Sequence, residues 1–111
     1  MCAYTWQMSE PQQSRSTRPS IRIEGEHEIG NGWLYTFTVE WANAAPTDHE
    51  LTLSWVDQEH LVRGTVTPSA LAQIAAQIEA EHFGAQAMPA RCDVSILRRR
   101  IPGFDERVRG R

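Results

Sequence analysis

Each of the four histidines follows an acid: Glu26-His27, Asp48-His49, Glu59-His60 and Glu81-His82. A carboxylate beside an imidazole is the pairing that proton transfer uses, and the same side chains ligate divalent metals. The spacing argues against both uses. Neighbours along a strand point to opposite faces, and the chain has no HxH or HxxxH pattern. His82 has a simpler use, as a cation in the last turn of a helix. For nucleophilic chemistry the choices are Cys92 and Ser69. No nucleophile elbow surrounds Ser69, and Cys92 sits beside Asp93 with only Arg91 to favour a thiolate. Gly30-Asn31-Gly32 joins two strands instead of opening a helix, so it is not a phosphate loop. No catalytic, cofactor or metal site is expected, and the chain reads as a non-catalytic protein.

Charge placement says more. All 11 positive side chains are arginine, which a GC-rich coding bias produces and which also suits bidentate contacts. Residues 1–19 carry two arginines against one acid, 20–90 two against ten, and 91–111 seven against three. An acidic body therefore bears a basic end, an asymmetry that concerns partners or self-docking more than fold. In the body, Glu24, Glu26 and Glu28 would form a carboxylate row about 7 Å apart on one face of a strand. At the end stand Arg98-Arg99-Arg100, then Phe104 and the Arg107, Arg109, Arg111 tail. The leading expectation is a protein-interaction or adaptor domain, with a homodimer as one form of it. Glu24, Glu26, Glu28, Leu34, Arg98, Arg99, Arg100 and Phe104 would make the contact, with Val56 and Leu61 adding apolar area. The alternative is a nucleic-acid-associated protein that binds through its arginines.

These residues need elements to hold them. Over 33–41 every odd position is large and apolar or aromatic, which predicts a strand with one dry face. Ile21, Ile23, His27 and Ile29 alternate with Arg22, Glu24, Glu26 and Glu28 as its hairpin partner. A three-residue loop would set Ile29 against Trp33, Ile23 against Val39 and Arg22 against Glu40, keeping the glutamates away from the aromatics. A second hairpin, 50–56 with 61–66 around Asp57-Gln58-Glu59-His60, would complete a four-stranded antiparallel meander. Thr67-Pro68 starts a helix and Gly84 ends it, with Leu71, Ile74, Ala75, Ile78 and His82 as its apolar stripe. That stripe would cover Trp33, Tyr35, Phe37, Trp41 and Trp55. Residues 93–101 are read as a helix in preference to a fifth strand through Cys92, Val94 and Ile96, because three arginines interrupt the alternation.

At 111 residues the chain is one domain with a core. It divides into a flexible arm over 1–19, an α+β domain over 20–104 and a loose basic tail over 105–111. Cys2 and Cys92 lack a disulfide framework. No leader or membrane-spanning stretch is recognised, and a cytoplasmic setting is expected.

Overall fold

The structure is a computed structural model that describes residues 18–62 and 66–110. All but the last two residues of the expected N-terminal arm lie outside the described residues. The elements run β1 (Ser20–Ile29), β2 (Gly32–Glu40), β3 (Thr47–Ser54), α1 (Trp55–Val62), α2 (Pro68–Phe83), β4 (Arg91–Asp93), α3 (Val94–Arg100) and α4 (Phe104–Arg109). The fold is α+β. One sheet has the order β1-β2-β3-β4, with β1, β2 and β3 antiparallel and β4 parallel to β3.

The inner face of the sheet supplies Tyr35, Phe37, Val39, Leu51 and Leu53 to a single buried cluster. Each helix packs into the same cluster: Leu61 from α1, Leu71 and Ile78 from α2, Val94 and Leu97 from α3, Phe104 and Val108 from α4. Burial of each large side chain contributes roughly 1.5–3 kcal/mol. None of the cluster residues of the strands lies on the opposite, outer face, where β2 presents Leu34, Thr36, Thr38 and Glu40.

The first hairpin forms, but in a different register. Its loop has two residues, Gly30 and Asn31, so that Ile29 pairs with Gly32. Gly32 must be glycine for another reason: a Cβ there would stand 2.0 Å from the Leu53 carbonyl oxygen. Near the loop, Glu28 faces Trp33 and Glu26 faces Tyr35, the pairing the sequence argument rejected. A β-bulge at Glu24 then shifts the register, so that Ile23 faces Phe37 and Ile21 faces Val39. The bulge adds one residue to β1 and turns its alternation over. It leaves the isoleucines on the core at one end of the hairpin and turns two glutamates onto the aromatic face at the other. The buried phenol of Tyr35 gives a physical reason, since its Oη donates to Glu26 Oε2 at 2.5 Å. The expected Arg22–Glu40 ion pair survives as a diagonal contact of 2.5 Å.

The second hairpin is overturned. After Ser54 the chain becomes helix α1, while 63–65 lie outside the described residues. Ser54 Oγ accepts from the Asp57 backbone N–H at 3.1 Å and donates to Asp57 Oδ2 at 3.0 Å. Such capping across three residues favours a helix over the strand that Trp55 and Val56 suggest. Trp55 is consequently 45% exposed instead of core. The fourth strand comes from Arg91–Asp93, on the other edge of β3.

Helix α2 begins and ends as expected. The Thr67 side chain accepts from the Ala70 N–H, Pro68 opens the first turn, and Gly84 closes the helix at φ 79°. Its buried stripe is wider than expected and includes Ala72, Ala76 and Glu79, whereas His82 is exposed and packs edge-on against Phe83. Asp93 caps α3 through the Ser95 N–H at 2.9 Å, which supports the helical reading of this segment. The segment read as a basic tail contributes α4, and its Val108 is buried.

Candidate interaction surface

Outer-face residues are those paired through the even positions of β2. They include the carboxylates of Glu24, Glu40, Asp48, Glu50 and Asp93 and the guanidiniums of Arg22 and Arg91. A cleft of about 380 Å³ opens in this face, lined by Glu24, Thr36, Thr38, Asp48, Glu50 and Arg91 among others. Thr38 Oγ1 lies 2.9 Å from Asp48 Oδ1 and 3.3 Å from Glu24 Oε2, and its single proton serves one carboxylate at a time. Arg22 Nε stands 2.9 Å from Glu24, and Arg91 Nε 3.4 Å from Glu50. The cleft thus offers carboxylate oxygens in excess of cations. It suits a cationic hydrogen-bond donor.

Beneath the cleft, His49 is buried on the inner face and stacks on Phe37 with ring centroids 5.6 Å apart. Its Nδ1 is 2.8 Å from the Pro89 carbonyl and its Nε2 2.6 Å from Thr47 Oγ1. Both ring nitrogens are occupied, so this histidine ties β3 to the segment before β4. His27, His60 and His82 are exposed and stand on three different elements. Among the described residues no group of three His, Cys, Asp or Glu side chains could hold a metal.

The eight residues expected to bind a partner do not assemble into one surface. Glu24 and Leu34 lie on the outer face, while the bulge carries Glu26 and Glu28 to the inner one, so no glutamate row exists. Arg98 has an internal task. Its Nη1 donates to Asp57 Oδ1 at 2.8 Å, and Nε and Nη2 donate to the two oxygens of Asp105 at 3.0 and 2.9 Å. One guanidinium therefore joins α1, α3 and α4. The bidentate bond from Arg98 holds the Asp105 carboxyl below the usual carboxylate range despite partial burial. Phe104 is buried in the core, whereas Arg99 and Arg100 are exposed. Arg109 donates to the carbonyls of Leu61 and His60. Of the apolar additions, Leu61 is core and Val56 is 67% exposed.

Cys92 is half-buried on the inner face opposite Leu51. Burial, followed by the nearby Glu79 carboxylate, pushes its thiol up to about 11, away from thiolate chemistry. Asp93 accepts hydrogen bonds from Ser95 Oγ and Thr52 Oγ1; these outweigh the opposing effect of its burial and lower its pKa.

Sequence reasoning missed three participants. Thr38 and Asp48 carry no sequence signal that links them, and only the β2–β3 register brings them together. Asp57 was placed in a hairpin loop, although Ser54-Trp-Val-Asp57 carries the helix-capping pattern that could have found it. No helix among the described residues is long and apolar enough to cross a membrane. Neither the family models, the curated proteins nor the solved structures with which the chain was compared match it.

Proposed function

We propose that this chain is a non-catalytic protein-interaction domain that presents its outer sheet face to a basic segment of a partner protein. The observation that carries this reading is the acidic cleft between Glu24, Asp48 and Glu50, on a face opposite the one that the four described helices pack against. A polar outer face is ordinary for an antiparallel sheet. A concave one with surplus carboxylates selects a cationic donor. A second copy of the chain offers such a segment, because Arg99 and Arg100 are exposed near the end of α3. Nucleic-acid binding is the weaker reading. Arg98 and Arg109 already serve internal acceptors, and the acidic face repels phosphate.

The test combines Glu24→Arg with Glu50→Arg, two positions outside the core. The variant should lose at least about tenfold in affinity for a protein that co-purifies with the untagged chain, with melting behaviour retained. If the partner is a second copy, the same variant lowers the association seen by sedimentation, and Arg99→Glu with Arg100→Glu restores it. Unchanged affinity would overturn the reading. So would binding of RNA or DNA that falls steeply with salt and is weakened by Arg99→Glu with Arg100→Glu.

A further inference from the structure

The bulge at Glu24 has a consequence at the far end of the hairpin. There the inner face carries Trp33, opposed across the strands by Glu28. Trp33 meets Trp55 edge-to-face, with ring centroids 6.1 Å apart and planes at 84°. The Trp55 backbone N–H donates to the Asn31 carbonyl at 2.9 Å, which fixes α1 against the hairpin loop. Trp55 remains 45% exposed and Val56 67% exposed, the large hydrophobic side chains most open to solvent among the described residues. Glu59 stands one helical turn after Trp55, on the same side of α1. Glu28 and Glu59 are exposed, and among the described residues neither carboxylate has a hydrogen-bond or ion-pair partner. Helix α2 lies toward the other end of β1, where Gln73 donates to the Ile21 carbonyl and Gln77 to that of Pro19.

An exposed indole, Trp55, set edge-on against the half-buried Trp33 and flanked by unpaired carboxylates has the composition of a guanidinium site. The aromatic faces attract the flat cation by their quadrupoles, and the carboxylates take its N–H donors. Arginine fits better than lysine, since its plane stacks on indole while its edge forms paired hydrogen bonds. The flanking charge also decides against the same patch of a second copy, which would bring glutamates together. We propose that Trp33, Trp55, Glu28 and Glu59 form a docking site for an arginine-bearing segment of a partner protein. This site lies on the inner face and is independent of the outer cleft, so either can fail without the other.

The tryptophan indoles supply the test. The protein is labelled with nitrogen-15 and titrated with an acetylated, amidated Gly-Arg-Gly-Arg-Gly peptide and with its lysine counterpart. The Trp33 and Trp55 indole N–H signals should shift with the arginine peptide, while that of Trp41, whose Nε1 donates to Thr47 Oγ1 at 2.8 Å, stays in place. Glu28→Gln and, separately, Trp55→Ala should each weaken binding about threefold to fivefold, and the lysine peptide should bind more weakly than the arginine one. Glu28 is exposed and outside the core, so its substitution reads binding even if the Trp55 variant folds poorly. The proposal is overturned if the indole signals do not move, or if Glu28→Gln leaves the affinity unchanged. Indole shifts that depend on protein concentration without peptide would make a second copy the occupant and would overturn it as well.

Discussion

At the scale of single residues, Glu79 stands out. It lies in the core on α2, 1% exposed, and its Oε1 has no hydrogen-bond partner among the described residues. Burial alone pushes its pKa up to about 7 from an ordinary value of 4.5. The folded state therefore binds this proton more tightly than the unfolded chain. The advantage is complete below about pH 4.5 and is lost as pH rises toward 7, with a change on the order of 3 kcal/mol. Chemical denaturation at pH 5 and pH 8 should show that decline, and Glu79→Gln should flatten it. An equal decline in the variant would place the titration elsewhere. Glycines give a sharper contrast. Gly32→Ala puts a methyl 2.0 Å from a backbone oxygen and should cost at least about 3 kcal/mol, whereas Gly30, with nothing within 4 Å, should accept alanine within about 0.5 kcal/mol. Thermal melts of the two variants compare them directly.

At the scale of elements, Arg98 fastens three helices through Asp57 and Asp105. Arg98→Met should destabilise the fold by about 3 kcal/mol, because it leaves the buried Asp57 without its cation. Arg100→Ala, at an exposed position, should change stability by less than about 0.5 kcal/mol. Denaturant titration of both variants tests the difference. The same network shows why part of this fold was legible and part was not. Helix α2 could be read because Thr67, Pro68 and Gly84 are local signals that act within a turn. The pairing of β1 with β2 could be anticipated from alternation, but its register could not, because the bulge at Glu24 is stabilised by the Tyr35–Glu26 bond, nine residues apart. Helix α1 was mistaken for a strand since Trp55, Val56 and Val62 favour β structure, and the Ser54 cap with the Asp57–Arg98 bond prevails. Strand β4 spans three residues along the edge of β3; the alternation of Cys92, Val94 and Ile96 points to a strand here, but the Asp93 cap turns the chain into helix after Asp93.

At the scale of the whole molecule, the sheet has one face covered by the described helices except at the hairpin tip, and another that carries charge. Sequence alone located the acidic body and the run Arg98-Arg99-Arg100, of which only Arg99 and Arg100 are exposed, and it joined Glu24, Glu26 and Glu28 into one row. The bulge divides them between two candidate surfaces: Glu24 borders the outer cleft, and Glu28 flanks the tryptophan pair at the hairpin tip. The two proposals together assign one basic segment of a partner to each face. The raised pKa of Cys92 keeps its thiol protonated at neutral pH.

Carboxyl footprinting of the complex shows whether the outer cleft is where the partner binds. The protein is labelled with a water-soluble carbodiimide and an amine, free and bound to its co-purifying partner, and the labelled side chains are quantified by mass spectrometry. Labelling of Glu24, Asp48 and Glu50 should fall on binding while Glu106, exposed on α4, reacts as before. Unchanged labelling of those three carboxylates in a saturated complex would contradict binding at the cleft.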